Sequence, residues 1–169
     1  MDQLRLVRNE FTPTLTEKGL VLQEGWNEAV AEAVINGSKE EAILRFTPND
    51  ALRRFTDHDA AYTWALDSQK NRRIYTLANE AIGGLIWFSQ ESYGDATYTF
   101  AIRLYDCFRG QGLASVFLQA THRDFATLTD NPKIWLSTDT DNAVALGLYE
   151  NNGYITVAEA DGRVHMIRS

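Results

Sequence analysis

The sequence predicts a mixed α/β domain (α/β or α+β), with helices layered on a sheet. Three observations predict it. Strand-like and helix-like stretches alternate along the chain in the order β-α-α-β-β-β-α-β-α-β-β, so neither an all-helical nor an all-strand architecture fits. No linker, internal repeat or low-complexity stretch interrupts them, which makes residues 1–169 one expected domain. The 169 residues, 44% of them hydrophobic, suffice for a core of ordinary size.

The elements follow in order. Residues 1–18 have no evident place in the pattern and are expected as an N-terminal extension that adds a strand, covers an edge or supports a dimer. Gly19 and Gly25 bracket a short strand. Trp26, Ala29, Val30 and Ala33 carry helical spacing up to Ile35, with a stop at Asn36-Gly37. A second helical region starts at Pro48-Asn49-Asp50, with apolar positions at Leu52, Phe55, Ala61, Trp64 and Ala65 and a break near Thr56-Asp57. Arg73–Ala78 and Ala81–Ser89 read as strands around an Asn79-Glu80 turn. Thr97–Leu104 is a longer strand. From Ala114 a strongly amphipathic helix places Phe117, Leu118, Thr121, Phe125 and Leu128 on one face. Pro132 punctuates the loop before the strand Lys133–Thr138. Asn142–Asn152 is a short helix ending at Gly153, and Asp161-Gly162 is the turn of a final hairpin.

Composition narrows the function classes. The net charge is −7 and the pI about 4.9. Non-specific nucleic-acid binding needs clustered positive charge and is disfavoured. An acidic surface favours a cationic partner such as an amine, although solubility alone also accounts for it. One cysteine, Cys107, allows no intramolecular disulfide and suits a reducing compartment. Met1 is followed by charged and polar residues rather than an apolar signal core, and no run approaches a membrane span. A cytoplasmic protein without a membrane partner is expected.

Two motifs carry chemistry. Arg109-Gly110-Gln111-Gly112-Leu113-Ala114 joins a strand to a helix. Glycines there let the backbone approach a ligand, and unpaired amides at the positive end of a helix dipole suit a pyrophosphate. No Gly-Lys-Ser/Thr follows, and the third glycine of a dinucleotide fingerprint is missing. Alone, the segment equally describes a tight strand-to-helix turn. The second motif is Asn142-x-x-Ala145-x-x-Leu148-Tyr149-x-x-x-Gly153-Tyr154. Asn142 can cap the helix, and Gly153 supplies a left-handed end. Alone, it is a well-capped amphipathic helix with a core tyrosine.

In their order, spacing and flanking strands the two motifs together resemble the GNAT N-acetyltransferase superfamily. The resemblance runs from about Leu20 to the end and is strongest from Tyr98 to Tyr154. It implies a mixed, mostly antiparallel sheet flanked by helices and splayed between strands 4 and 5, with acetyl-CoA as cosubstrate in the split. It implies that Ile102, Arg103 and Leu104 pair with the pantetheine arm, the Leu104 amide serving the reacting carbonyl as oxyanion donor. It implies that Arg109 and Gly110, Gln111, Gly112, Leu113, Ala114 and Ser115 cradle the pyrophosphate, that Asn142 contacts the cofactor, and that Tyr149 is the general acid. The expected reaction is direct attack of a primary amine, from a small molecule or a protein, on the acetyl thioester in a ternary complex. A homodimer is a family-level expectation.

The chain departs from the family pattern in places. Many members carry a glutamate base on the fourth or fifth strand, where this chain has Arg103 and Ser137. A water chain ending at Glu91, Asp106 or Asp139 is the expected substitute, each of these carboxylates also fitting a solvated surface position. Asp106 stands where many relatives have proline and is expected to alter loop stiffness more than chemistry. Cys107 and the histidines (His58, His122, His165) show neither a catalytic nor a metal-binding spacing. Trp26, Trp64, Trp87, Phe88 and Tyr93 are candidates to line an acceptor pocket, and Arg53-Arg54 to bind an acidic group on the acceptor. The short Asp161-Gly162 turn suggests an open acceptor side, unless the segment 36–50 closes it. Without an obvious base, a catalytically inactive CoA-binding module remains the alternative.

Overall fold

In a computed structural model describing residues 3–169, the chain forms an eight-stranded sheet in the order β1-β2-β3-β4-β5-β6-β8-β7. The strands are β1 (Arg5–Leu6), β2 (Val21–Glu24), β3 (Arg73–Ala78), β4 (Ile82–Tyr93), β5 (Ala96–Leu104), β6 (Ile134–Asp139), β7 (Ile155–Ala160) and β8 (Arg163–Arg168). All neighbours pair antiparallel except β5 and β6. That parallel pair touches only at Tyr98↔Ile134 and Thr99↔Trp135, after which the strands separate. The expected splay between the fourth and fifth strands is this β5–β6 gap, renumbered because β1 precedes them.

Alternation along the strands makes two cores. One face of the sheet packs under α1 (Thr12–Glu17), α5 (Ala114–Thr129) and α6 (Ala143–Asn151), around Phe88, Phe100, Phe117 and Phe125. The other face packs under α2 (Glu28–Gly37), α3 (Glu41–Phe46), a π-helical turn (Asp50–Arg54) and α4 (His58–Ala65). Adjacent strand residues point to opposite faces. Trp87 accordingly enters the second core, while Phe88 stacks on Phe125 at 3.9 Å in the first. The described part of the first eighteen residues adds edge strand β1 and, through Val7 and Leu15, plugs the first core.

Local chemistry sets the boundaries. Asn27 and Asp57 cap α2 and α4 by accepting from the amides of Val30 and Ala60. The break expected near Thr56-Asp57 is that second cap. α3 is not among the helices that the sequence predicts, and the helical region expected from Pro48 is a π turn followed by a separate helix. Two apolar positions expected on buried faces are exposed: Leu52 at 69% on the π turn and Leu128 in the last turn of α5, where the helix outruns the sheet. Asp161 and Gly162 both have positive φ, as a two-residue hairpin turn requires.

Candidate functional site

The phase of the β4–β5 ladder decides what faces the gap. The Tyr105 amide donates to the Gly83 carbonyl at 2.9 Å, and the register is continuous from Gly84↔Leu104 to Gln90↔Tyr98. In an antiparallel ladder the bonding direction alternates. Arg103 and Tyr105 therefore turn their main-chain groups toward β4, and Ile102 and Leu104 turn theirs toward the gap. The two carbonyls are occupied by arginines: Arg103 Nη1 donates to Ile102 O at 3.0 Å and Arg109 Nη2 to Leu104 O at 2.8 Å. The amides of Ile102 and Leu104 have no acceptor there among the described residues, because β6 has already diverged.

The loop entering α5 follows. Gly110 and Gly112 have φ of +76° and +70°, and a Cβ on either would meet no atom within 4 Å. Their requirement is conformational, and the space above them is open. No acceptor among the described residues takes the amides from Gly110 to Val116, the first paired amide being that of Phe117, bonded to Leu113 O. A run of free amides at the start of a 16-residue helix is what an anionic diphosphate needs. Arg109 does not point outward. It pairs with Asp106 and with Glu40 at 3.3 Å while holding Leu104 O. Gln111 folds back to Cys107 O at 2.9 Å. Asp106 donates its amide to Glu40 at 2.8 Å, a bond a proline could not make, so the departure from the family pattern ties this loop to the α2–α3 junction.

On α6, Asn142 accepts from the Ala145 amide at 3.2 Å and caps the helix, and Gly153 ends it at φ +90°. Ser115 and Asn152 join the start of α5 to the end of α6 at 3.2 Å. The ring of Tyr149 is buried between Phe100 and Tyr154. Its hydroxyl has no hydrogen-bond partner among the described residues yet reaches solvent. Burial pushes its pKa up to about 12, moderated by the nearby Arg103 cation. At neutral pH it is a protonated, uncommitted donor.

The structure sorts the other candidates. Glu91 lies seven positions along β4 from Gly84, roughly 23 Å from Leu104, and pairs with Lys70; it is removed from the set. Asp106 is engaged with Arg109. Asp139 sits at the same end of the sheet as Leu104, paired to Arg163 at 2.7 Å, with Ser137 on the same arginine. Trp26, Trp64 and Trp87 do not line a pocket. They pack edge-to-face with Phe55 and Tyr62 in the second core. Phe88 is buried in the first core, and Tyr93 stacks with Trp135 and His165 toward the far end of β4. Arg54 is committed to Asp50; Arg53 is exposed. Burial raises the Cys107 thiol, which makes it a poor nucleophile. His122 is buried: Leu118 O can only accept, so Nδ1 carries the proton and Nε2 accepts from the Tyr154 hydroxyl.

Sequence reasoning missed Asp50. Its carboxylate is 0% exposed, accepts from Arg103 Nε at 2.7 Å and Nη2 at 3.2 Å, and accepts from Arg54 at 3.0 Å. Arg103 also lies 4.7 Å from the Trp87 ring. Together with Tyr105, whose ring lies flush on Gly37, this contact fixes the segment from α2 to α4 against the end of β5. The α2–α4 segment thus covers the sheet over the end of β5. The row of Ile155, Ile167 and Trp135, at the other end of β6, is less covered, Ile155 being 70% exposed.

A family model for the acetyltransferase (GNAT) domain matches residues 21–155. Among solved structures, an uncharacterized protein from Bacillus halodurans superposes with a TM-score of 0.76 at 13% identity, over 98% of this chain and 90% of that one. Spermidine N-acetyltransferase from Vibrio cholerae, in complex with CoA and spermine, gives 0.68 at 18% identity over 89% and 94%. RimL, a ribosomal L7/L12 alpha-N-protein acetyltransferase, gives 0.68 at 15% over 98% and 94%. No curated protein sequence matches the chain.

Proposed function

The chain belongs to the GNAT acetyltransferase family, and from that premise we propose that it transfers acetyl from acetyl-CoA to a primary amine by direct attack, in the cytoplasm. The observation that carries the reading is the β5–β6 gap, with the unclaimed Leu104 amide facing it and the uncommitted Tyr149 phenol on α6 within electrostatic reach of Arg103. The residues present fit the cosubstrate. The free amides from Gly110 to Val116 would take the diphosphate, Ile102 and Leu104 the pantetheine arm, and the uncommitted amide of Asn142 a further polar contact. Acetyl-CoA supplies an activated acyl thioester.

The chain's residues do the rest. The Leu104 amide donates to the oxygen that gains charge when the carbonyl is attacked. Tyr149 donates its proton to the departing sulfur, which its raised pKa keeps available at neutral pH. The ammonium of the acceptor loses one proton to water, with Asp139 the carboxylate at that end of the sheet, and the second proton that the nitrogen sheds as the amide forms restores the Tyr149 phenol. Arg103 and Arg109 hold the two carbonyls of β5 that face the gap, and so fix the strand that aligns the reactants. The acceptor is an amine of a small molecule or of a protein: neighbours of the same fold include enzymes named for spermidine and for a ribosomal protein N-terminus.

The test is acetyl-CoA consumption against a panel of polyamines, amino sugars and peptide N-termini. Turnover with at least one amine class is expected. Tight CoA binding with no turnover on any of them would favour the inactive binding module instead.

A further inference from the structure

A cavity of about 440 Å³ lies away from the β5–β6 gap, between α1, the far half of α5, the end of α6 and the end of β8. That volume is in the range of small-molecule sites. Its lining is rich in donors with nothing to donate to. The guanidinium of Arg168 has no ion-pair or hydrogen-bond partner among the described residues, and neither do the side-chain amides of Asn131 and Asn151. Asn152 also lines the cavity, its amide committed to Leu148 O and Ser115, and Arg123 adds a second cation, paired with Glu10 at 2.5 Å. His122 closes the floor. It is neutral, its pKa lowered to about 3 by burial and by the Arg168 cation. Asn131 is held in place by a left-handed backbone (φ +51°) and by its amide's bond to Ala126 O.

Arg168 is half-buried and has no ion-pair partner among the described residues, in a chain of net charge −7, and the exposed Ser169 lines the same cavity. Burial makes an unpaired cation costly. From this convergence we propose that the cavity is a second ligand site, separate from the cofactor cradle, for a small molecule carrying an oxyanion, either a phosphate or a carboxylate. Arg168 would take the anion through its planar fork, and the amides of Asn131 and Asn151 the remaining oxygens. Two contacts connect the site to the reaction centre. Asn152 bonds Ser115 at the entry to α5, and His122 bonds Tyr154, which packs on Tyr149. A bound anion would therefore touch both helices that frame the gap.

The experiment is a two-dimensional NMR titration following the side-chain amides of Asn131, Asn151 and Asn152. The probes are inorganic phosphate and citrate, each at constant ionic strength, with and without saturating CoA. The expected result is saturable shifts of these three resonances that persist with CoA bound. Arg168→Gln should weaken them about tenfold, as loss of one charge-assisted contact would. Asn131→Asp, which adds repulsion without touching Arg168, should weaken the shifts of the two remaining amides, Asn151 and Asn152, to a similar extent. A stronger response to one probe identifies the source as phosphate or carboxylate. No saturable shift with either probe, shifts abolished by CoA, or equal affinity in both variants would overturn the proposal.

Discussion

Replacing Asp50 by alanine should be among the most destabilising single changes in the protein. The carboxylate is fully buried and satisfies Arg103 twice and Arg54 once. The Arg103 side chain is itself only 10% exposed, so removing Asp50 strands a cation that little water reaches. Breaking one partner of a buried pair costs about 3–5 kcal/mol. Arg103 keeps the Trp87 face and the Ile102 carbonyl, and Arg54 is 35% exposed, which puts the expected loss near the lower end, at about 3 kcal/mol. In urea unfolding, with a slope of about 2 kcal/mol/M, the midpoint should fall by about 1.5 M. Asp50→Leu combined with Arg103→Met should recover most of that loss, because a well-packed apolar pair needs no compensation. A loss below about 1 kcal/mol in Asp50→Ala, or no recovery in the double variant, would refute the claim that this pair clamps the α2–α4 segment to β5.

Other perturbations report on other parts. Gly112→Ala has room for its Cβ, so its effect comes through backbone alone: about 1–2 kcal/mol for a non-glycine left-handed residue, and about tenfold weaker CoA binding by calorimetry as the cradle relaxes. Unchanged CoA affinity would detach this loop from the diphosphate. His122 has a folded-state pKa of about 3 against 6.5 when unfolded. Below pH 6.5 the unfolded chain takes up a proton that the folded one refuses, so stability falls from there toward pH 3. About 2 kcal/mol is lost by pH 5. His122→Gln should flatten urea-measured stability between pH 7 and pH 5 by about that amount, and an unchanged slope would contradict the assignment.

The parts of the fold legible in the sequence are those that local chemistry dictates. The strand from Arg73 to Ala78, with its unbroken buried run Ile74–Leu77, the Asp161-Gly162 turn and the Asn142 cap all appear where expected. The loop at Gly110 and Gly112 was legible because a left-handed backbone leaves few choices but glycine. What was not legible depends on contacts distant in sequence. Asp50 meets Arg103 across 53 residues, and nothing about Pro48-Asn49-Asp50 announces a buried carboxylate. Glu40 meets Asp106 and Arg109 in the same way. Large aromatics are ambiguous between pocket and core until their partners are known. Trp26, Trp64 and Trp87 found each other and Phe55, which took them out of any cleft. Leu52 fits a buried face only of a regular helix, and the π turn at Asp50–Arg54 puts it out of phase with that face, 69% exposed.

The account rests most directly on Tyr149, whose phenol is kept protonated by burial and left uncommitted by its surroundings. Steady-state kinetics of Tyr149→Phe on an active amine, with the CoA dissociation constant measured alongside, tests it. The predicted result is a fall in kcat of about 100-fold or more with CoA affinity within about twofold of the wild type, the signature of a lost general acid. A variant that keeps kcat within about threefold would contradict the proposed chemistry, since the proton on the departing sulfur would then have another source.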